Sequence, residues 1–168
     1  DITKLEAFRQ KHKTEIKSAG GKLTLTVFAL KAIATALKTY PNFNATLDMA
    51  NAEIIIKQYY NIGVAVNTDR GLIVPVIRDV DRKSIKELSG ELNDMVQRTR
   101  ARQTTPAEMQ GGTFTITNAG AMGGGFFAPI INYPEVAILG LGQARMQPVV
   151  RDAGKGDFQI VPRLIMPV

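Results

Sequence analysis

One stretch of the sequence, GGTFTITNAGAMGGGFFAPI at residues 111–130, combines a hydroxyl, an amide and a backbone that is nearly bare of side chains. An apolar run ends in Thr117 and Asn118, and glycines follow at positions 120 and 123–125. Glycine lets a ligand approach the backbone closely. These residues therefore suit a phosphate cradle, an oxyanion or thioester site, or a plain mobile loop.

The first alternative is disfavoured for a nucleotide. A dinucleotide-binding turn needs G-x-G-x-x-G between a strand and a helix, and a Walker loop needs Gly-Lys followed by Ser or Thr. Here the glycines follow a strand pattern, but GGGFFAP does not open a helix and no Walker lysine follows.

Other residues with chemical potential are few. The single histidine, His12, lies in a lysine-rich helical segment without an acid to orient it, so we interpret it as an ordinary helix residue rather than a general base. Arg98, Arg100 and Arg102 indicate a solvated helix end rather than a phosphate-binding ladder, because residues two apart on a helix diverge by about 200°. The absence of cysteine excludes disulfides and thiolate metal sites, and one histidine excludes a multi-histidine site.

Composition sets the class of protein. A chain of 168 residues with 45% hydrophobic and 21% charged residues is typical of one soluble globular domain. No apolar run reaches the length of a membrane span and no signal peptide is evident, so no membrane partner is expected. The net charge of +6 suits an anionic partner, such as a nucleic acid, an acidic protein or a phosphorylated cofactor. The charges are spread along the chain and not gathered in one block, which favours a soluble surface that is basic without such a partner.

Helical and strand patterns alternate along the chain. Capping boxes at Thr3-Lys4-Leu5-Glu6 and Ser84-Ile85-Lys86-Glu87 each predict the start of a helix, the first ending near 19–21 and the other near Arg102. A further helix is predicted over 25–39. Strands are predicted at 53–60, 61–67, 71–77, 113–118 and 135–142, with a hairpin that pairs 146–151 with 158–160. We expect residues 71–77 to be covered on both sides, and the whole to form a mixed or largely antiparallel sheet carrying helices.

Three segments resemble a known family: NIGVAVNTDRGLIVPVIRDVDRKSIKELSGELN (61–93), EMQGGTFTITNAGAMGGGFFAPIINYPEVAILGLG (108–142) and VPRLIMPV (161–168). They are similar, in order and spacing, to the catalytic domain of the dihydrolipoyl acyltransferases, the core component of 2-oxo acid dehydrogenase complexes. The resemblance covers residues 1–168, and FFAPIINYPEVAILGLG is more similar to the pyruvate acetyltransferases than to the 2-oxoglutarate branch.

The resemblance implies an α/β (α+β) fold like chloramphenicol acetyltransferase, with a mixed sheet flanked by helices. It implies a homotrimer that assembles into a cubic or dodecahedral core with the dehydrogenase components of the complex. Family members pass an acyl group between coenzyme A and a dihydrolipoyl group carried on a separate lipoyl domain. The two substrates enter a channel at the subunit interface from opposite ends. No metal is implied, and the compartment is the bacterial cytoplasm, or the mitochondrial matrix in a eukaryote.

The same resemblance assigns site residues. Thr117 matches the hydroxyl residue, commonly Ser, that binds the tetrahedral oxyanion formed in a neighbouring subunit's reaction. Arg9 matches a position that contacts coenzyme A, whose phosphates suit a guanidinium fork. Thr24 and Asn118 match coenzyme A-contacting positions that are Ser and Asn in relatives, whereas Asn67 matches one that is usually Asp.

The family's catalytic base is a His in a DHR-x-x-DG motif, and neither this His nor its Asp occurs in residues 1–168. His12 lies in the wrong segment to replace it. The chain starts at Asp1 and stops within an apolar run, so we expect a domain that is incomplete at both ends and inactive by itself. Two hypotheses remain: an acetyltransferase, or a non-catalytic assembly module of the same fold. A nucleic-acid-binding domain is disfavoured, because no aromatic-interleaved basic patch or recognition helix is present.

Overall fold

The computed structural model describes residues 1–120, 127–154 and 156–168, and these residues form helices, strands and two short 3-10 turns. The helices are α1 (Thr3–Ser18), α2 (Leu25–Thr39) and α3 (Ile85–Arg100). The strands are β1 (Ala45–Asp48), β2 (Glu53–Ile56), β3 (Ile62–Val64), β4 (Val66–Thr68), β5 (Gly71–Ile73), β6 (Val76–Ile77), β7 (Phe114–Asn118), β8 (Ile138–Leu141), β9 (Arg145–Gly154) and β10 (Asp157–Ile165).

The central sheet has four strands in the order β6-β3-β7-β8. Strands β3, β7 and β8 run parallel, and β6 is antiparallel to β3. The other strands of the described ranges form three antiparallel pairs, β1–β2, β4–β5 and β9–β10. The predicted mixed sheet with helices is therefore confirmed.

The two faces of the central sheet differ in chemistry. Phe114 and Ile116 of β7 belong to a buried apolar cluster that also contains Leu30 of α2 and Leu88 of α3. Successive side chains of a strand point to opposite faces. The threonines at 113, 115 and 117 therefore lie on the face that points away from α2 and α3.

Helix α2 supplies much of this core. Its buried residues include Val27, Leu30, Ala34 and Leu37, at the three- and four-residue spacing of one helix face. Fully burying a leucine side chain is worth about 1.5–3 kcal/mol, so truncating Leu30 would be costly. This packing sets the position of the helix's first turn, which lies at the carboxyl edge of the sheet.

The two capping predictions have different outcomes. At α3 the capping box is confirmed, since Ser84 Oγ accepts from the Glu87 N–H (3.2 Å) and Glu87 Oε2 accepts from the Ser84 N–H (2.7 Å). At α1 it is wrong. Asp1 Oδ1 accepts from both the backbone N–H and the hydroxyl of Thr3, and Glu6 binds Arg9 instead. A bidentate pair with a guanidinium is stronger than a single bond to a backbone N–H.

Several strand boundaries also differ from prediction. The predicted strand 53–60 is only β2, and its partner β1 was not predicted. The segments 61–67 and 71–77 each divide in two. In 71–77 the break between β5 and β6 lies at Pro75, because proline cannot donate to a ladder. Double-sided cover of 71–77 is wrong for the β4–β5 hairpin, where Leu72 is 64% exposed. The predicted β9–β10 hairpin is confirmed, but its strands are longer than predicted.

Candidate active site

Thr117 lies near the carboxyl end of β7, opposite Gly140 of β8, and is half-buried. Within residues 1–120, 127–154 and 156–168, no group forms a hydrogen bond with its hydroxyl. Ligands of α/β proteins commonly bind outside the carboxyl ends of the parallel strands. The Thr117 hydroxyl is thus placed where a ligand could use it.

Asn118 points to the opposite face, toward α2. Its Nδ2 donates to Thr26 Oγ1 (3.2 Å), and its Oδ1 accepts from the Gly120 N–H (3.0 Å). The amide therefore joins the start of the glycine-rich stretch to the first turn of α2. Residues 123–125, the other glycines of the sequence motif, lie outside the described residues.

Thr24 is the N-cap residue of α2, but its side chain makes no capping hydrogen bond. Its Oγ1 is buried without a hydrogen-bond partner in the part of the chain that the structure describes. An unpaired buried hydroxyl costs roughly 1–3 kcal/mol, which a ligand that bonds to it would recover. The helix N-terminus beside it also favours negative charge.

Arg9 of α1 approaches the same chain segment. Its Nη1 donates to the carbonyl of Leu23 (3.2 Å), while Nε and Nη2 each donate to the Glu6 carboxylate (2.7 Å). The hydrogen bond between these two side chains raises the pKa of Arg9 and lowers the pKa of Glu6. Arg9 is thus already paired, but a guanidinium has five N–H donors and keeps some for a ligand.

The structure brings Arg9, Thr24 and Asn118 together around residues 23–26, but no described hydrogen bond links Asn67 to them. Asn67 is an exposed residue of β4, opposite Leu72 in the β4–β5 hairpin. None of the hydrogen bonds among the described residues joins its side chain to the other three.

One buried acid was not predicted from the sequence. Glu135 is 7% exposed, and its Oε2 accepts from the Thr115 hydroxyl at 2.6 Å. Desolvation raises the pKa of Glu135, against the hydrogen bonds from Thr115 and Asn132. The signal in the sequence was an acid at the head of the apolar run PEVAILGLG, which we read only as the start of a strand.

An open apolar cleft of about 290 Å³ adjoins Gly140, the residue paired with Thr117. Its lining includes Phe127, Pro129, Ile138, Leu139, Pro167 and Val168. The cleft lies along β8, which is the last strand of the central sheet in the described ranges. An apolar part of a substrate, or an apolar protein surface, could therefore pack in this cleft, next to the residue that pairs with Thr117.

The remaining candidates behave as surface residues. His12 packs on the Phe8 ring, with 4.4 Å between centroids, and its Nδ1 lies 3.5 Å from Glu15 Oε2, so the expectation that no acid lies beside it is wrong. Arg98 pairs with Asp94 and Glu108, and Arg102 pairs with Asp69, so these arginines form surface ion pairs and no ladder.

In the described ranges, no group of three or more His, Cys, Asp or Glu residues is arranged to hold a metal ion. No helix of the same ranges has both the length and the apolar character to cross a membrane.

Comparison with known proteins gives consistent matches. The model of the family "2-oxoacid dehydrogenases acyltransferase (catalytic domain)" matches residues 1–168. The chain is 45% identical to the dihydrolipoyllysine-residue acetyltransferase component of the pyruvate dehydrogenase complex of Cupriavidus necator, over 100% of this chain and 29% of the relative. It is 45% identical to the component of the same name from Bacillus subtilis, over 99% and 37%. The chain therefore spans about a third of the length of these relatives.

Solved structures agree. A structure devoted to the role of a serine, a histidine and an asparagine in the catalytic mechanism of Azotobacter vinelandii dihydrolipoamide acetyltransferase is 44% identical, with a TM-score of 0.90. The cubic core of a pyruvate dehydrogenase multienzyme complex is 46% identical, with a TM-score of 0.91. Each match covers 99% of this chain and 66% of the other.

Proposed function

Since the chain belongs to the family of 2-oxoacid dehydrogenase acyltransferase catalytic domains, we propose that the protein containing it transfers an acetyl group between dihydrolipoyl-lysine and coenzyme A in a pyruvate dehydrogenase complex. The observation that carries the proposal is the Thr117 hydroxyl at the carboxyl edge of the sheet, which has no hydrogen-bond partner among the described residues, in a chain that matches acetyltransferases throughout. The compartment we propose is the bacterial cytoplasm.

The proposed reaction needs an oxyanion donor. The thiol sulfur of coenzyme A attacks the thioester carbon, and a tetrahedral intermediate with a negative oxygen forms. The Thr117 hydroxyl would donate to that oxygen, and one such donor is worth about 2.7–4 kcal/mol. The new C–S bond then persists, the bond to the lipoyl sulfur breaks, and the proton taken from coenzyme A passes to the released thiolate.

The base that moves this proton is proposed to lie outside residues 1–168. The family's DHR-x-x-DG motif does not occur in residues 1–168, and the His12 ring packs against Phe8 on α1. The histidine named in the study of the Azotobacter vinelandii enzyme supports a histidine as that base. Our proposal pairs the serine of that enzyme with Thr117, which keeps the hydroxyl and adds a methyl group.

Coenzyme A is proposed to bind on the α2 side of the sheet edge. Its phosphates would take donors from Arg9 and favour the N-terminus of α2, while the buried Thr24 hydroxyl gains a partner. Asn118 would hold the glycine-rich stretch beside them. Asn67 is a weaker candidate, because it lies on a separate hairpin. The net charge of +6 would favour the approach of this anionic substrate.

A second role, assembly, is supported by exposed apolar surface. One face of the β9–β10 hairpin presents Met146, Val150, Phe158 and Ile160, which are between 61% and 73% exposed. Exposed apolar patches of this kind mark interaction sites. We propose a homotrimer that builds a larger cubic or dodecahedral core, meets the dehydrogenase components and receives a lipoyl domain. A non-catalytic assembly module is the alternative to the enzyme.

One assay separates the two roles. The whole protein that contains residues 1–168 should transfer acetyl groups from acetyl-CoA to free dihydrolipoamide, and Thr117→Val should slow that transfer without dissociating the oligomer. A protein that assembles to the same size but transfers nothing would be the assembly module.

A further inference from the structure

Glu135 has no role in the reaction described above, yet it is the buried acid of the described residues. Its carboxylate accepts a 2.6 Å hydrogen bond from Thr115, whose side chain is 1% exposed. In the described ranges no Lys, Arg or His forms an ion pair with it. Burying an acid without a cation is unfavourable, because either the charge loses its hydration or the group must keep its proton.

Two glycines make room for this pair. A Cβ on Gly112 would lie 2.6 Å from Glu135 Oε1. A Cβ on Gly63, which is paired with Thr115 across β3 and β7, would lie 2.8 Å from Thr115 Oγ1. Any other residue at either position would displace the carboxyl or the hydroxyl. Both glycines therefore leave room for this hydrogen bond, and Gly63 also leaves room for Val74, whose Cγ1 would lie 2.9 Å from the same Cβ.

The hydrogen bond between Thr115 and Glu135 also links β7, which carries Thr117, to the connection that leads into β8. Thr115 and Thr117 share one face of β7, two residues apart. Glu135 ends the connection that leads from Phe127 to β8, and its N–H donates to the Asn132 carbonyl at 2.9 Å. It also bridges to Thr46 of β1. A change at Glu135 would thus move β7 relative to the segment that covers it.

We propose that Glu135 is a positioning residue that holds the Thr117 hydroxyl in place for acyl transfer, by fixing β7 through its hydrogen bond to Thr115. The inference rests on the proposed function of Thr117. Oxyanion stabilisation requires a donor 2.7–3.1 Å from the developing charge, so a small displacement of β7 removes most of its value. A purely structural role would not need a polar pair here, because replacing both hydrogen-bonding partners by apolar groups of the same shape can be nearly neutral for stability.

The experiment uses the whole protein and separates stability from turnover. In the double variant Thr115→Val with Glu135→Met, both polar partners are replaced by apolar groups of similar shape, a change that can be nearly neutral for stability. We expect unfolding near the wild-type denaturant midpoint, a kcat lower by on the order of tenfold or more, and an unchanged KM for coenzyme A. Glu135→Gln keeps an acceptor for Thr115 and should retain kcat within about twofold, with equal or higher stability at neutral pH, since no charge is buried.

Each outcome decides the matter. A stable double variant with wild-type kcat would overturn the positioning role, and so would a loss of kcat in Glu135→Gln as large as in the double variant, because the charge itself would then act. Wild-type protein without acetyl transfer would overturn the proposed function and the positioning role together. If the double variant does not fold, Thr115→Val compared with Thr115→Ser gives the same test: only the variant that keeps the hydroxyl should keep kcat.

Discussion

Thr117 lies directly opposite Gly140 in the parallel β7–β8 pair, so the two residues face the same side of the sheet. A Cβ on Gly140 would lie 2.7 Å from the tip of the Phe127 ring. The missing side chain therefore leaves room for this ring beside Thr117.

We expect Gly140→Ala to displace Phe127 and lower kcat/KM for dihydrolipoamide by about tenfold, because small displacements beside a reaction site are costly. The cost in unfolding free energy should be small, about 1 kcal/mol, since only the end of the ring must move. Steady-state kinetics and urea unfolding measure the two effects. The control is Gly90→Ala in α3, where an added Cβ meets nothing within 4 Å. It should stabilise the helix by up to about 1 kcal/mol and leave the kinetics unchanged. Equal kinetics in both variants would contradict the role of Phe127.

Thr117→Val should lower kcat by about 10²–10³-fold and leave the KM for coenzyme A nearly unchanged, because the hydroxyl is needed mainly when the oxyanion forms. Thr117→Ser keeps the donor and should be mild. The measurement is acetyl transfer by the whole protein at saturating substrate. A valine variant within about threefold of wild type would show that the hydroxyl does not serve the transition state.

The helices were predicted correctly because their signals are local. A capping box and apolar residues three and four apart lie within one helix, as at Ser84 and Glu87 of α3. Strand β1 was missed because its sequence, ATLD, has no such signal and its partner β2 lies across a turn. The break at Pro75 was visible in the sequence, but its effect depends on where neighbouring strands need a donor.

The candidate site was predictable in part for the same reason. Period-two alternation already places Thr117 and Asn118 on opposite faces of a strand. The hydrogen bond between Thr115 and Glu135 could not be foreseen, because these residues are 20 apart in sequence and meet only through the fold. The same holds for the Asn118–Thr26 contact, which joins residues 92 apart.

The loss of unfolding free energy at acidic pH should depend on Glu108. Hydrogen bonds from the Thr105 backbone, from Arg98 and from the Thr105 side chain lower the pKa of Glu108 from 4.5 to about 2. A group whose pKa is lower in the folded state adds stability above its unfolded pKa and loses it as the pH falls toward the folded value. Glu108→Gln should therefore flatten the fall in unfolding free energy as the pH drops from about 4.5 to about 2, as measured by urea titrations. Parallel curves for wild type and variant would show that these hydrogen bonds do not lower the pKa of Glu108.

Arg9 and Glu6 should have opposite effects on coenzyme A binding. Arg9→Ala removes a charge-assisted contact with phosphate and should weaken binding by about 1.5–3 kcal/mol. Glu6→Gln frees the guanidinium from its carboxylate partner and should strengthen binding, because Glu6 occupies two of its donors at 2.7 Å. Titration calorimetry of the whole protein measures both. If neither variant changes the affinity, Arg9 only anchors α1 to Leu23.

Residues 1–168 by themselves should transfer acetyl groups at least about 10²-fold more slowly than the whole protein, because a positioned base contributes typically 10²–10⁴-fold. Coenzyme A must lose its thiol proton before its sulfur attacks the thioester. Without the base, Thr117 can polarise the thioester carbonyl, but little thiolate forms to attack it. His12, the single imidazole of this segment, packs against Phe8 and lies next to Glu15 on α1. The assay compares acetyl transfer to free dihydrolipoamide by the segment, verified by intact mass, with that of the whole protein. A rate close to that of the whole protein would mean that the base lies among residues 1–168. Glu135 would then be the first residue to substitute, because its carboxyl lies on the same side of β7 as Thr117 and burial raises its pKa.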